Sequence, residues 1–247
     1  KIFNNLENLL KIDGELTSPL AIAHGEVIEE WIDYNDHMNM AYYVQCFEES
    51  SDYLLEAVNL GYEYALKYQQ NLKALIVSNM VPSVPDYNSY AKNVLALKLD
   101  PEVLKEIRGY EAVEDYTNER YLKLIHDNYY PKHVLRIPAE DWPEDVSNAF
   151  AEINFPIYLK MQGPSEFGIV GNASLKNWDV TNDLNKIEIP FLSIGAEHDT
   201  MDPKQMEWMA KQVQNGSYLH CPNGSHMAMW DDTENYFNGL ISFINKL

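Results

Sequence analysis

Two polar loops near the end of the sequence carry residues that could work as an acid–base pair. Asp199 follows the apolar run 189–195, and His226 follows the short run 217–221. If the two runs are neighbouring parallel strands, both loops lie at the carboxyl edge of the sheet, where ligands bind in such proteins. A carboxylate there would fix the imidazole tautomer, so that the second ring nitrogen could act as a general base. The alternative is that Asp199 caps a helix and His226 is an ordinary surface histidine.

A relay of this kind needs a nucleophile, and the sequence offers no obvious one. Hydrolases in which the acid precedes the histidine present a serine on a strand-to-helix elbow with the pattern G-x-S-x-G. No G-x-S-x-G occurs in the 247 residues, and Ser165 and Ser225, which each lie near a glycine, both fail the pattern. Ser50 and Ser51 lie in a stretch of helical spacing without flanking glycines. Because the pair has nothing to activate without a nucleophile and oxyanion donors, turnover is predicted to be impaired or absent.

Three short runs predict the strands that would position these loops. The runs 72–78 and 189–195 have the apolar composition of buried parallel strands, and 217–221 is a further short strand. Helical spacing follows the second run over 203–214, with Asp202 as the expected N-cap, and closes the chain over 231–246. Four apolar residues of the closing helix are expected to face inward: Phe237, Leu240, Ile241 and Ile244. This order of elements is typical of a parallel α/β sheet.

Residues 81–156, between the first two runs, have a different character. Prolines recur there among segments rich in Tyr, Leu, Glu and Lys: Pro82, Pro85, Pro101, Pro131, Pro138 and Pro143. Because proline ends helices, the pattern predicts an all-helical insertion of about 80 residues built from short helices.

The charge of the chain limits the partners it could bind. It has 18 Lys and Arg against 38 Asp and Glu, a net charge of −20. This excess argues against nucleic-acid binding and against docking on anionic membranes, and it favours amine-bearing ligands. No apolar run has the roughly 18 residues that a membrane span requires.

Cysteine and histidine spacing predicts neither a metal site nor a cofactor. Cys46 and Cys221 form no metal-binding pair, and the seven histidines show no H-E-x-x-H spacing. Two free thiols in a reducing, cytoplasmic compartment are expected, and the alternative is a single disulfide between the two cysteines. No nucleotide-binding motif is present.

Six stretches resemble the proline iminopeptidase (prolyl aminopeptidase) family of α/β-hydrolases. They are 63–80, 140–143 (EDWP), 161–171 (MQGPSEFGIVG), 175–179, 194–203 (IGAEHDTMDP) and 221–232 (CPNGSHMAMWDD). The resemblance covers about residues 62–247 and implies an α/β-hydrolase-type parallel sheet, formed by 63–80 and 161–247, with a helical cap at 81–160. The family's His-Gly-Gly-Pro-Gly oxyanion element is absent, so the N-terminal part of the sheet would be replaced.

The same resemblance implies roles for individual residues and a substrate. Asp199 would be the triad acid and His226 the triad base, in the release of N-terminal proline from peptides through an acyl-enzyme. Glu166 would bind the free imino group of the substrate, and Glu140 is a weaker candidate for a second such carboxylate. A carboxylate beside a cleft is a suitable partner for a protonated pyrrolidine. The alternatives are that Glu166 is a capping or solvated acid and that Glu140 is a loop acid before a Trp-Pro turn.

The N-terminal residues resemble a different family. The stretch 30–39 (EWIDYNDHMN) and the AYYVQCFEESSDYLL after it are similar to the opening of hotdog-fold acyl-CoA thioesterases, over about 20–62. That resemblance implies Asp33 as base or nucleophile, His37 and Asn39 as its partners, and a site formed between two subunits. The alternative is a polar turn before a helix. Three functions therefore stay open: a prolyl aminopeptidase-like hydrolase, a thioesterase, and a non-catalytic protein whose acidic cleft binds peptides.

Overall fold

The structure is a computed structural model that describes residues 60–247. The chain divides into two units, residues 1–63 and 64–247. Several residues considered above lie outside the described part: Cys46, Ser50 and Ser51. In residues 60–247, no helix has the length and apolar character that crossing a membrane requires.

The described residues form three strands and a series of helices, named here in chain order. The strands are β1 (Leu75–Ser78), β2 (Phe191–Ala196) and β3 (Gly216–Cys221). The α-helices are α1 (Leu60–Tyr68), α2 (Val84–Tyr90), α3 (Pro101–Ala112), α4 (Glu119–Asn128), α5 (Tyr130–His133), α6 (Glu144–Ala151), α7 (Phe155–Met161), α8 (Pro203–Gln212), α9 (Ala228–Asp231) and α10 (Thr233–Ile244). Shorter turns are a π-helical turn at Ala91–Leu95 and 3-10 turns at Gln69–Asn71, Ala96–Lys98, Ala139–Asp141 and Thr181–Lys186.

The three strands form a parallel sheet with β2 in the middle. Leu75 of β1 lies opposite Phe191 of β2, and Phe191 lies opposite Gly216 of β3. All six residues of β2 are buried, as expected of a parallel strand that is covered on both faces. The predicted parallel α/β sheet is confirmed.

Helix α8 covers the sheet and begins where the sequence predicted. The carboxylate of Asp202 accepts a hydrogen bond from the backbone N–H of Lys204 at 2.9 Å, and Pro203 is the first helical residue. The bond from Lys204 satisfies one of the backbone donors that a helix start leaves free, and the proline has no N–H to be satisfied. The buried face of α8, with Met206 and Met209, packs against β2 and β3.

The first residue of β3 must be glycine because α8 passes too close for a side chain. A Cβ on Gly216 would lie 1.8 Å from the carbonyl oxygen of Ala210, which is backbone and cannot rotate away. Gly216→Ala is therefore expected to lower the free energy of unfolding by about 3 kcal/mol, measured by urea denaturation. Gly109→Ala is the matched control, because nothing lies within 4 Å of that Cβ and alanine favours the α3 helix. Equal stability of the two variants would contradict this account of the packing.

Helix α10 corrects the predicted inward face. Tyr236 is buried, and Leu240 and Phe243 pack with it against the core of β2 and β3. Three residues expected inward are instead exposed: Phe237 at 42%, Ile241 at 52% and Ile244 at 48%. The helix has apolar residues at two sets of positions with the same i, i+4, i+7 spacing, so periodicity alone did not distinguish them.

Residues 84–161 between β1 and β2 are mostly helical and are called the helical segment, and four of its prolines lie at the start of a helix rather than at its end. Proline lies in the first turn of α2, α3, α5 and α7, where its missing N–H costs nothing. The caps agree with this position. Ser83 accepts a hydrogen bond from Asp86 N at 3.3 Å, and Asp100 accepts one from Glu102 N at 2.9 Å.

Candidate active site

The carboxyl ends of β2 and β3 bring Asp199 and His226 into contact. The Nδ1–H of His226 donates to the Oδ1 atom of Asp199 at 2.9 Å, across 27 positions of sequence. Asp199 is fully buried, whereas His226 reaches the wall of a cavity. Nδ1 is therefore held by the carboxylate, and Nε2 is the ring nitrogen left for chemistry.

Three further donors hold the carboxylate of Asp199 in place. Its Oδ2 atom accepts from the side-chain amide of Asn79 at 2.6 Å. Its Oδ1 atom accepts from the Thr200 hydroxyl at 3.2 Å and from the Met201 backbone N–H at 3.1 Å. The Thr200 hydroxyl also lies 3.1 Å from His226 Nδ1. Because every partner is a donor, the arrangement suits an ionised carboxylate.

The electrostatics of His226 favour its protonated form. Desolvation lowers the pKa of the ring, but the charge of Asp199, the hydrogen bond to it and the charge of Glu166 outweigh this effect. The net pKa is raised above the ordinary value of histidine. A base of this kind accepts a proton readily and keeps the imidazolium stable beside the carboxylate.

A cavity of about 260 Å³ joins His226 to the helical segment. Glu166 lies in its wall, and the Glu166 Oε1 atom accepts a hydrogen bond from the Tyr130 hydroxyl at 2.9 Å. Desolvation raises the pKa of Glu166, although the bond from Tyr130 and the charge of His226 act in the opposite direction. Aromatic side chains supply much of the remaining wall: Tyr87, Phe150, Phe155 and Tyr158.

Hydrogen bonds on both sides of Glu166 hold the loop that carries it. Before it, the Ser165 hydroxyl donates to Glu111 of α3 at 2.8 Å. After it, the side chain of Asn88 on α2 accepts from the Ile169 N–H at 2.6 Å and donates to the Ile169 carbonyl at 3.0 Å. Helices α2 and α3 thereby position the carboxylate that faces His226.

The helical segment also binds the loops of the acid and the base directly. The backbone N–H of His226 donates to the His133 carbonyl at 3.0 Å, and the Met227 N–H donates to the Val134 carbonyl at 2.9 Å. The His133 ring donates through Nδ1 to the carbonyl of His198 at 2.9 Å. The C-terminal end of α5 therefore fixes the loop of Asp199 and the loop of His226 together.

Within residues 60–247, no serine hydroxyl is hydrogen-bonded to the Nε2 atom of His226. Within this part of the chain, the hydrogen bonds of the His226 ring go to Asp199 and Thr200, both through Nδ1. Ser165 bonds to Glu111, and the buried Ser225 donates to the Val134 carbonyl at 2.8 Å. Both serines that failed the elbow pattern thus have structural partners.

Most of this chain is similar in sequence to curated proteins named proline iminopeptidase. A "Proline iminopeptidase" of Flavobacterium johnsoniae is 54% identical over 188 residues, which are 76% of this chain and 62% of that protein. The protein of the same name from Elizabethkingia meningoseptica is 51% identical over the same shares of the two chains. This part of the chain is homologous to the proline iminopeptidases. The chain spans about three fifths of the length of these curated relatives, as the 62% coverage states.

Solved structures place the fold among the α/β-hydrolases to which proline iminopeptidases belong. The crystal structure of proline iminopeptidase from Mycobacterium smegmatis matches with a TM-score of 0.66 at 26% identity, over 76% of this chain and 61% of that one. The crystal structure of VinJ matches with a TM-score of 0.69 at 28% identity, over 76% and 62%. The predicted α/β-hydrolase fold and the resemblance to proline iminopeptidases are both confirmed.

A family model described as "Thioesterase-like superfamily" matches residues 27–81. Most of that match lies outside the described residues, and so do Asp33, His37 and Asn39, whose thioesterase role stays a prediction. Where the match overlaps the described residues, it covers α1 and β1, and β1 is an edge strand of the parallel sheet.

The structure separates the sequence-derived candidates into two groups. Glu166 and His226 line one cavity, and Asp199 holds His226 through a hydrogen bond. Glu140 instead is exposed on the 3-10 turn Ala139–Asp141 and is not part of the cavity wall. Sequence reasoning missed Asn79 and Thr200, although an asparagine directly after a strand and a hydroxyl next to the acid were visible signals.

Proposed function

We propose that the site is that of a prolyl aminopeptidase-like serine hydrolase, which binds peptides with a free N-terminal proline. The observation that carries the proposal is that Glu166 and the Asp199-paired His226 line one aromatic cavity. We further propose that turnover is impaired or absent, because the sequence has no G-x-S-x-G elbow.

The residues of the cavity wall would take different roles. The Glu166 carboxylate would pair with the protonated imino group, while the Tyr130 hydroxyl holds its Oε1 atom. Aromatic walls would receive the pyrrolidine ring by apolar contact. Nε2 of His226 would be available to accept a proton, and Asp199 would stabilise the imidazolium that forms.

The free imino group is the substrate feature that separates this function from others. A peptide beginning with proline is expected to bind saturably by isothermal titration calorimetry, and its N-acetylated form is expected to bind at least about tenfold more weakly. Glu166→Gln should weaken binding of the free peptide about 10- to 100-fold, because the amide carries no charge. Glu140→Gln is the matched control, since Glu140 is exposed and lies off the cavity wall.

An activity assay on the same protein tests the expected lack of turnover. Proline p-nitroanilide is expected to give little or no p-nitroaniline above the rate of the His226→Ala variant. Equal binding of the free and acetylated peptides would contradict the substrate assignment. Robust hydrolysis that His226→Ala abolishes would keep the peptidase assignment but contradict the impaired turnover.

A further inference from the structure

Asn79 lies one residue beyond β1, in a backbone conformation that few residues adopt. Its φ is 53°, in the left-handed region, where asparagine and glycine are the residues best tolerated. Its side chain is buried, with 6% exposed, and it is not part of the cavity wall. Asn79 therefore lies behind the acid–base pair and does not line the cavity.

The amide of Asn79 connects the loops of the acid and the base. Its Nδ2 atom donates to Asp199 Oδ2 at 2.6 Å and to the backbone carbonyl of Ser225, next to His226, at 3.3 Å. Both partners can only accept, so the orientation of the amide is determined. Because Asn79 occupies Oδ2, Oδ1 is the oxygen that accepts the hydrogen bond from the Nδ1–H of His226.

Two hydroxyl groups fix the amide from the other side. The Ser78 hydroxyl donates to Asn79 Oδ1 at 2.6 Å, and the Tyr236 hydroxyl of α10 donates to Ser78 at 3.0 Å. A directed chain of hydrogen bonds thus runs from α10 through the end of β1 to the acid. No member of this chain other than the acid itself was anticipated from the sequence.

We propose that Asn79 is a positioning residue that sets the orientation of Asp199 and, through it, the ring of His226, with Ser78 and Tyr236 holding its amide. The relevance of this role to catalysis rests on the proposed function, but the positioning itself does not. The left-handed backbone of Asn79 directs its buried amide to two loops. The amide contacts the acid, Asp199, and the residue before the base, Ser225.

Three substitutions separate the backbone role of Asn79 from the role of its amide. Asn79→Gly keeps the left-handed backbone without cost and removes the amide. Asn79→Asp keeps the shape and replaces the donor by a second carboxylate beside Asp199. Asn79→Ala removes both the amide and the backbone preference, and it is expected to be the least stable of the three.

The measurement is the side-chain NMR signal of His226 in the full chain, together with urea unfolding. In Asn79→Gly, the His226 Nδ1–H proton is expected to exchange with water about tenfold faster than in the unchanged protein, because the carboxylate can rotate. In Asn79→Asp, the new carboxyl group and Asp199 lie too close to be ionised together and are expected to share one proton, so the Nδ1–H exchange of His226 should stay closer to that of the unchanged protein than in Asn79→Gly. Tyr236→Phe, which removes only the first hydroxyl of the chain, should act in the direction of Asn79→Gly with a smaller effect.

Ser83→Ala is the control for lost buried hydrogen bonds. Ser83 is buried and bonds to Asp179 and to the start of α2, away from the acid–base pair. It should lower stability without changing the His226 signal. Unchanged Nδ1–H exchange in Asn79→Gly would overturn the proposal. Because the signal requires no turnover, a failure of peptide binding with a responsive signal would count against the proposed function alone.

Discussion

Replacing Asp199 with asparagine is expected to lower the pKa of His226 below the ordinary value of histidine. Two of the effects that raise the pKa, the charge of Asp199 and the hydrogen bond to it, are weakened or lost, whereas desolvation, which lowers the pKa, remains. The measurement is an NMR titration of the His226 ring. Any hydrolytic turnover should fall by about three to four orders of magnitude, since the ring loses its fixed tautomer.

The same substitution is expected to lower the free energy of unfolding by about 3 kcal/mol. All four partners of the carboxylate donate, so an amide at position 199 must place its own NH₂ group against another donor. Asp202→Asn is the matched control, because asparagine caps a helix as well as aspartate does. An unchanged pKa of His226 in Asp199→Asn would mean that the pair does not interact in solution.

Acidification from pH 6.5 to pH 4 is expected to remove about 3 kcal/mol of stability through His133 alone. Its ring is buried, and desolvation lowers its pKa to about 4, although the bond to the His198 carbonyl opposes the shift. The unfolded chain binds a proton near pH 6.5 and the folded chain only near pH 4. Stability is therefore full above pH 6.5 and falls as the pH drops towards 4.

The side chain of His133 explains why protonation is unfavourable. Nδ1 donates to a carbonyl, and Nε2 is buried without a hydrogen-bond partner among the described residues. His133→Asn keeps a donor for the carbonyl and removes the titrating group, so its unfolding free energy should depend less on pH in this range. The exposed His126, changed in the same way, serves as the control, and equal slopes for the two variants would contradict the prediction.

The sequence was sufficient to predict the sheet and the loops at its edge. Buried parallel strands have continuous apolar runs, so the position of β2 could be read from composition, whereas β3 is more polar and only its last residue, Cys221, is buried. The proximity of Asp199 and His226 followed from the predicted order of strands, helix and loops. The helix face of α10 could not be read in this way, because two apolar sets of equal spacing competed for the core. In the structure, the set with Tyr236, Leu240 and Phe243 packs against Leu219 and the strands.

The supporting residues of the site could not be predicted, because they depend on distant contacts. Asn79 reaches Asp199 across 120 positions of sequence, and Asn88 reaches Ile169 across 81. Asparagine after a strand is also common in ordinary turns, so its type alone did not indicate a partner. The exposure of Glu140 likewise became visible only once the helical segment was folded.

The insertion of the helical segment between two adjacent strands has a consequence for how the molecule forms. β2, α8 and β3 are consecutive and can assemble from nearby parts of the chain, whereas Leu75 must find Phe191 after the whole segment has been made. Closing such a long loop is slow, so β1 is expected to join last in the folding reaction. Asn79 follows β1 directly, and the last strand to arrive would therefore also be the one that locks the acid into its final orientation.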